Sequence, residues 1–355
     1  MTRPLTTSRR LGFALFAASL TAALTVGPVL AATKTTTKKT TKTTTKTKKS
    51  TKAKKPNKVL RAPNGRPPKP AAPFFWEAPS GDDSLEGEKS FEAATTKIVP
   101  NNKILKLLIV GSDAREGQPV SRTRADSIHL LLWNPAFNKG ILVGFPRDSI
   151  VPTKSGERKL TETLSTGGPE FLLDSINRLT GFKVQDYVIT GFGGFVKMVD
   201  EIGGVNVLVD PAMNDTVSGA TFQKGWFAMN GQAALAYSRN RKGVANGDFT
   251  RSYNQGSLLL YSLAKLREEV SDAPGLVRWI RILQANADTN LKPTDMLTLA
   301  QIARSIDPSN MTNVVLAGKN VKLGSGKKAQ DAIRLNPGYV GFFTDVARDA
   351  VNDGR

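Results

Sequence analysis

Arginine and aspartate residues recur together in short polar clusters between residues 111 and 255 of this 355-residue chain. The clusters are Gly111-Ser112-Asp113-Ala114-Arg115, Arg124-Ala125-Asp126-Ser127, Pro146-Arg147-Asp148, Tyr237-Ser238-Arg239-Asn240-Arg241 and Asp248-Phe249-Thr250-Arg251. Arginine carries a permanent charge and a planar set of donors that fits pairs of phosphate oxygens. Aspartate oxygens are hard ligands that hold Mg²⁺ together with a phosphate. The clusters therefore indicate a site that binds a pyrophosphate and a divalent cation.

The earlier clusters lie at predicted strand ends, where ligands of open α/β sheets gather. Asp113 and Arg147 each follow an apolar run that is typical of a buried strand. Arg124 and Asp126, two residues apart before a predicted strand, would point to the same side of it. Each has an ordinary alternative: Asp113 as a turn residue, Arg124 with Asp126 as an internal ion pair, and Arg147 in a surface salt bridge.

The later clusters combine an arginine pair with a polar helix start. Arg239 and Arg241 follow a predicted short helix, and both could face one ligand. Asp248, Arg251 and Gln255 are three and four residues apart, so they form one polar stripe on a predicted helix. This combination is typical of an anion site, and the alternatives are a solvated basic loop and an exposed helix face.

The composition excludes several other kinds of site. The chain has no cysteine, which excludes disulfides, thiolate metal sites and cysteine nucleophiles. Its one histidine, His129, alternates with apolar neighbours in a predicted strand and is interpreted as structural, which disfavours a histidine triad. No phosphate-binding P-loop sequence is present. The net charge is +20, but Arg3, Arg9, Arg10 and residues 33–70 contribute all except about +3, so the folded part lacks the basic surface of a nucleic-acid-binding domain.

The N-terminal region differs in composition from the rest of the chain. Residues 1–32 place three arginines before an uncharged apolar run of about 22 residues, which fits a transmembrane anchor or a cleaved signal peptide. Residues 33–102 are interpreted as a low-complexity basic linker and flexible lead-in, and residues 103–355 as one domain. Both interpretations of the first segment place the domain outside the cytoplasm, either membrane-anchored or secreted to the cell envelope.

Alternating strands and helices predict an α/β fold, a single domain with a central mixed β-sheet flanked by helices. Strands are expected at 104–110, 127–133, 140–145, 185–190, 205–209 and 313–317. Helices are expected at 168–179, 192–202, 230–238, 248–269, 274–284, 293–306 and 337–351.

The order and spacing of the clusters resemble the LytR-CpsA-Psr family of cell-wall phosphotransferases. The similarity covers about residues 103–270 and includes Leu107-Leu108-Ile109-Val110-Gly111-Ser112-Asp113, Arg124-Ala125-Asp126-Ser127, Pro146-Arg147-Asp148, Lys159-Leu160, Tyr237-Ser238-Arg239-Asn240-Arg241 and Asp248-Phe249-Thr250-Arg251. It implies a catalytic domain that moves a glycopolymer phosphate from a polyprenyl-pyrophosphate carrier onto a peptidoglycan sugar hydroxyl. The membrane partner would be the outer face of the cytoplasmic membrane, and no nucleic-acid partner is expected.

The same resemblance implies individual roles. Asp113 and Asp126 would hold Mg²⁺. The residues that would bind pyrophosphate oxygens are Arg124, Arg147, Lys159, Arg239, Arg241, Arg251 and Gln255. Arg147, Asp248 and Arg251 would act in catalysis, with Asp248 either orienting Arg251 or serving as the base. The apolar faces of helices at 171–179, 192–199 and 258–266 could line a lipid groove, although a core position is the ordinary interpretation for most of them.

Two other functions remain open from the residues alone. A lipid-pyrophosphate pyrophosphatase would use the same groups to release lipid phosphate to water. A non-catalytic wall-polymer binding protein with a regulatory role would use the arginines and the basic linker for attraction alone.

Overall fold

The computed structural model of the protein describes residues 74–76, 103–242 and 247–352. The expected anchor or signal at 1–32 and nearly all of the segment 33–102 lie outside the described residues. Among the helices that are described, none combines the length and the apolar composition needed to span a membrane.

The described secondary structure alternates between strands and helices along the chain. The strands are β1 (Phe74–Trp76), β2 (Leu105–Ser112), β3 (Ala125–Asn134), β4 (Lys139–Gly144), β5 (Ile150–Thr153), β6 (Gly156–Lys159), β7 (Tyr187–Thr190), β8 (Val205–Val209), β9 (Met213–Asp215), β10 (Ala220–Phe222), β11 (Gly225–Met229), β12 (Asp288–Thr289), β13 (Met311–Leu316), β14 (Gly318–Leu323) and β15 (Gln330–Leu335). The α-helices are α1 (Leu160–Thr180), α2 (Phe192–Glu201), α3 (Gly231–Arg239), α4 (Gly247–Glu269), α5 (Ala273–Asn286), α6 (Pro293–Ser305) and α7 (Tyr339–Asp349).

A seven-stranded mixed sheet forms the centre of the domain, in the order β1-β13-β4-β3-β2-β7-β12. β3 runs antiparallel to both of its neighbours, β2 and β4. β13 is parallel to β4, and β7 is parallel to β2. This mixed sheet with helices around it confirms the predicted fold class. β1 lies in the stretch assigned from sequence to the lead-in, and it adds a parallel strand beside β13.

One face of the sheet, called here the apolar face, packs against α1 and α7. Alternate strand residues such as Leu108, Leu130 and Val143 point into this core and are almost completely buried. Phe343 of α7 contacts several aromatic rings there, including those of Phe145 and Phe182. The result is a continuous hydrophobic core whose apolar burial is the main driving force of folding.

Helix α1 begins earlier than the sequence predicted. Gly168-Pro169 was interpreted as a helix start because proline is tolerated in a first turn. Instead the helix starts at Leu160 and passes through a kink at Gly168, whose φ of 75° lies in the left-handed region. The kink supplies the non-helical backbone that allows Pro169 inside the element. The residues of 171–179 that were considered for a lipid groove, such as Leu172 and Ile176, belong to the core under the apolar face.

The opposite face of the sheet, called here the site face, packs against α4. The alternate strand residues are mixed: Trp133 and Leu142 join a small apolar cluster, whereas His129 and Asn313 are buried polar residues. The imidazole Nε2 of His129 lies 3.0 Å from the backbone oxygen of Ser252 on α4. Because a carbonyl oxygen can only accept, this ring nitrogen carries the proton. His129 therefore forms a buried hydrogen bond that connects the sheet to α4, which agrees with its predicted structural role.

A second, smaller core lies between β8, β11, α3 and α4. It contains Val207, Phe227, Ala234 and Tyr261, all buried. This cluster fixes α3 beside α4 and so fixes the position of the residues that follow α3.

Candidate functional site

A cavity of about 580 Å³ opens between the site face, α2, α3 and α4. The side chains lining it that were predicted as site residues are Asp126, Arg147, Arg239, Arg241, Arg251 and Gln255. The apolar side chains lining it are Ile109, Val110, Phe192, Phe195, Val217, Leu235, Leu258 and Leu259. Segments far apart in the sequence thus converge on one cavity, which contains six of the ten predicted site residues.

The cavity changes from polar to apolar along α4. Arg251 and Gln255 line it near the start of this helix, and Leu258 and Leu259 line it one turn later. A helix rises 1.5 Å per residue, so the lining from Arg251 to Ser262 extends over roughly 16 Å. A ligand with an anionic head and an apolar tail matches this gradient.

The charges of the lining side chains are unbalanced. The cations are Arg147, Arg239, Arg241, Lys242 and Arg251, and the carboxylates are Asp126 and Asp215. The excess of positive charge, in a site partly screened from water, favours an anion of more than one charge.

A bulge in β3 directs Asp126 into the cavity. Gly111 pairs with Ser127 but the next residue of β2, Ser112, pairs with Ala125, so Asp126 is an extra residue in β3. A bulge of this kind changes the direction of side chains and interrupts strict alternation. Asp126 and Ser127 consequently both line the cavity although they are adjacent in sequence. Because the bulge interrupts the alternation, the two-residue spacing of Arg124 and Asp126 does not determine the directions of their side chains.

Arg147 is held by two carboxylates at the end of β4. Its Nη1 lies 2.6 Å from Asp126 Oδ1, and its Nε lies 3.6 Å from Asp148 Oδ2. Burial alone would lower the pKa of Arg147, but Asp126 and Asp148 more than offset this and raise it. Asp148 also pairs with Lys159, whose Nζ is 3.3 Å from Asp148 Oδ1. The guanidinium is therefore permanently charged and fixed in direction.

Arg251 is the most buried arginine of the lining. Its Nη2 lies 2.5 Å from Asp248 Oδ1, one turn earlier on α4. The same carboxylate oxygen lies 3.5 Å from Nε of Arg241. Burial lowers the pKa of Arg251 and Asp248 opposes that effect, so the guanidinium remains charged in a poorly solvated place. Asp248 thus aligns two guanidinium groups, which agrees with the orienting alternative for this residue.

Arg239 and Gln255 connect the polar and apolar parts of the lining. The Arg239 guanidinium lies over the ring of Phe192, 4.8 Å from its centroid, in a cation–π contact. Gln255 Nε2 donates a hydrogen bond of 3.1 Å to the backbone oxygen of Ser238. These two contacts fix the last residues of α3, Ser238 and Arg239, against α4 and α2.

Four predicted site residues are not part of the lining: Asp113, Arg124, Lys159 and Asp248. Asp248 pairs with the lining residues Arg241 and Arg251. Lys159 pairs with Asp148, which is a carboxylate partner of Arg147. Asp113 and Arg124 pair with each other, because Arg124 N donates to Asp113 Oδ1 at 2.9 Å and Asp113 N donates to Arg124 O at 2.9 Å. The Arg124 side chain is exposed.

The donor set is compatible with a Mg²⁺ ion that is shared with a substrate. No group of three or more histidine, cysteine, aspartate or glutamate side chains in the described part of the chain could enclose a metal ion. Asp126 presents a carboxylate in the lining, and Asp113, just after β2, is hydrogen-bonded to Arg124 just before β3. Mg²⁺ is usually held by one or two carboxylates together with phosphate oxygens and water. Asp126 fits that arrangement, whereas Asp113 lies outside the lining.

Asp215, at the end of β9, was not found by the sequence analysis. It lines the cavity, and its carboxylate accepts four backbone N–H groups, from Val217, Ser218, Arg241 and Lys242. Asn214-Asp215-Thr216 followed by Ser218-Gly219 is a turn signal, so an aspartate turn could have been predicted. Its hydrogen bonds to the backbone of Arg241 and Lys242, after α3, could not be predicted from the sequence around Asp215.

The sequence and the fold are similar to those of known proteins. The LytR_cpsA_psr family model matches residues 72–334. The polyisoprenyl-teichoic acid–peptidoglycan teichoic acid transferase TagV of Bacillus subtilis (strain 168) is 27% identical over 236 residues, which are 62% of this chain and 59% of TagV. The similarly named TagU of Bacillus mycoides is 26% identical over 252 residues, 70% of this chain and 78% of that protein. The crystal structure of B. subtilis TagV shares the fold, with a TM-score of 0.59 at 24% identity, covering 70% of this chain and 96% of that one. The matched region thus spans less than two thirds of the curated TagV.

Proposed function

Because this chain belongs to the LytR-CpsA-Psr family, we propose that it is a transferase that moves a glycopolymer from a polyprenyl-pyrophosphate carrier to peptidoglycan. The relatives TagV and TagU are named as transferases of polyisoprenyl-linked teichoic acid to peptidoglycan. The single observation that carries the proposal is the lining of the cavity, which passes from Arg251 and Gln255 to Leu258 and Leu259 along one helix. A lipid pyrophosphate has the same two parts.

The arginines of the lining bind the pyrophosphate of the donor in this proposal. Asp126 orients Arg147 and Asp248 orients Arg251, so both guanidinium groups are fixed in direction before the donor binds. Preorganised cations of this kind stabilise charge that develops on phosphoryl oxygens, and they do so more strongly where water is excluded. The tail of the donor lies against Phe192, Phe195 and the leucines of α4.

The transfer forms one P–O bond and breaks another. The oxygen of a peptidoglycan sugar hydroxyl bonds to the phosphorus that carries the glycan. The bond from that phosphorus to the bridging oxygen breaks, and polyprenyl phosphate leaves with this oxygen. The hydroxyl proton ends on the released phosphate in the overall balance. Positioning and charge neutralisation provide most of the catalysis in such reactions, and Arg147, Arg241 and Arg251 supply them here.

Asp126 would hold Mg²⁺ beside the pyrophosphate. The ion would neutralise phosphate charge and polarise the phosphorus that is attacked. Substitution Asp126→Asn removes one anionic ligand, so the Mg²⁺ concentration for half-maximal activity should rise. An unchanged Mg²⁺ dependence would contradict this assignment.

A transfer assay with the full-length chain tests the function. Radiolabelled lipid-pyrophosphate glycan, Mg²⁺ and peptidoglycan should yield label covalently bound to peptidoglycan, and Arg147→Ala should abolish it. Arg178→Ala is the matched control, since Arg178 is a surface arginine of α1 paired with Asp174. Release of lipid phosphate without an acceptor would instead identify a pyrophosphatase. Polymer binding that persists without Mg²⁺ and yields no product would identify a binding protein.

We also propose that the domain lies at the outer face of the cytoplasmic membrane, because the proposed substrates are found there and the apolar run in 1–32 predicts an anchor or a signal peptide. Protease added to intact spheroplasts should then degrade the domain. Protection until the membrane is lysed would contradict this location.

A further inference from the structure

The carboxylate of Asp215 joins two segments that are distant in sequence. Its Oδ1 accepts from the N–H groups of Val217 and Ser218, at 3.0 and 3.3 Å, within the turn that follows β9. Its Oδ2 accepts from the N–H groups of Arg241 and Lys242, at 3.1 and 3.3 Å. Each oxygen therefore serves a different segment.

Asp215 remains an anion in this environment. The residue is only 3% exposed. Burial would raise the pKa of Asp215, but the N–H groups of Arg241, Lys242, Ser218 and Val217 more than offset it and hold the pKa well below its usual range. Hydrogen bonds to a charged acceptor are roughly twice as strong as neutral ones. The contact is thus strong enough to fix the backbone that it binds.

A role confined to the turn does not account for this geometry. An aspartate turn needs only one carboxylate oxygen, which here is Oδ1. The second oxygen binds backbone 26 and 27 residues later. There the chain leaves α3 at Arg239 and continues in extended conformation at Asn240. The side chains of Arg241 and Lys242 then reach the cavity.

We propose that Asp215 is a positioning residue for donor binding, which fixes the backbone of Arg241 and Lys242 so that the Arg241 guanidinium meets the pyrophosphate. This inference rests on the proposed function. The Arg241 side chain is 47% exposed and its pair with Asp248 is long, at 3.5 Å, so the fixed backbone and Asp248 together set the direction of the guanidinium. The four N–H dipoles partly offset the negative charge of Asp215, which reduces its repulsion of the phosphates.

Two substitutions separate the two oxygens of Asp215. Asp215→Asn keeps one acceptor oxygen and turns an NH₂ group toward one pair of N–H donors. Asp215→Ser can still form a turn through its hydroxyl but is too short to reach Arg241 and Lys242. Thr216→Ala is the matched control because Thr216 is exposed in the same turn.

Calorimetric titration with geranylgeranyl pyrophosphate and Mg²⁺ measures the effect on donor binding. We expect Asp215→Asn and Arg241→Ala each to weaken binding about tenfold. The double variant should also bind about tenfold more weakly than the wild type, with no further loss. Thr216→Ala should bind like the wild type. Losses that multiply to about a hundredfold, or wild-type affinity of Asp215→Asn, would overturn the proposal, since Asp215 would not act through Arg241.

Amide hydrogen exchange gives a readout that does not depend on the function. In Asp215→Ser, exchange should become faster at Arg241 and Lys242 while the strands of the sheet stay protected. Faster exchange throughout the domain, loss of folding in both variants, or unchanged exchange at Arg241 would each overturn the role. If the wild type does not bind the pyrophosphate, the proposed function fails, and the exchange result still decides whether Asp215 fixes this backbone.

Discussion

The apolar face and the site face of the central sheet are formed by the same strands, with side chains alternating between them. Leu130 and Val143 point to the apolar face, whereas His129 and Leu142 point to the site face. The apolar face is a continuous core under α1 and α7. The site face has a smaller apolar cluster, buried polar residues and a cavity next to α4.

This difference separates stability from function within one sheet. Buried polar groups and ion pairs contribute little net stability, because their desolvation offsets their attraction. The apolar face buries few polar groups and so has little desolvation cost, and its burial can stabilise the whole domain, including the site face. Substitutions on the two faces should therefore change different measured quantities.

The largest expected effect is on the apolar face. Phe343→Ala removes a fully buried ring that contacts four others, among them Phe145 and Phe342. The free energy of unfolding should fall by about 3–5 kcal/mol, measured by urea denaturation. The folded fraction should keep its affinity for the donor. Phe137→Ala is the control, since Phe137 is 61% exposed and its loss should change stability by less than about 0.5 kcal/mol.

The next effect is on the site face and concerns rate. Arg251→Lys keeps a charge beside Asp248 but loses the planar fork, so kcat/KM for transfer should fall about a hundredfold. The melting temperature should change little. Arg267→Lys, the same substitution at the other end of α4 in a surface pair with Asp307, should leave the rate unchanged. Equal losses in both variants would show that the loss of rate is not specific to the cavity.

The buried His129 should make the site face sensitive to acid. Burial lowers the pKa of His129 to about 4, whereas an unfolded histidine titrates near 6.5. Between these values the unfolded chain binds a proton that the folded chain does not. The free energy of unfolding should therefore decrease as the pH falls through this window, by about 1 kcal/mol per pH unit. Because His129 is the chain's one histidine, His129→Gln should remove this component of the slope in denaturation measured from pH 7 to 4.

The smallest expected effect concerns the apolar end of the cavity. Phe195→Ala removes a partly buried ring of the lining, a loss of about 1 kcal/mol at 25 cal/mol per Å². Binding of a long-chain prenyl pyrophosphate should weaken several-fold, and that of a pyrophosphate with a short chain should not. If inorganic pyrophosphate loses the same factor, Phe195 does not contact the lipid.

Periodic patterns made most of the fold predictable. The alternation of β3 and the apolar runs of β2 and β4 place these strands correctly because burial on a sheet follows simple periods. Short elements lacked such a signal: Phe74–Trp76 becomes a strand through its parallel partner β13. The start of α1 was missed because Gly168-Pro169 resembles a helix start more than a kink.

The site was predictable to the extent that its residues carry a chemical type. Arg147, Arg239 and Arg251 could be selected because guanidinium groups suit phosphate, and they do line one cavity. The contact of Asp215 with Arg241 could not be predicted, since an acceptor of backbone N–H groups places no demand on the residue types of its donors. The bulge at Asp126 has the same character, because it depends on pairing with β2.

The extra residue in β3 lies at the start of that strand, before Ile128 and the core positions that follow. Removing Asp126 would leave regular pairing with β2 and would not change which later side chains face the core. A one-residue deletion here would thus keep the architecture and remove a carboxylate from the lining of the cavity. If the proposed transfer depends on Asp126, homologues with this deletion would fold without transfer activity, and the chain length between Arg124 and Ile128 would identify them.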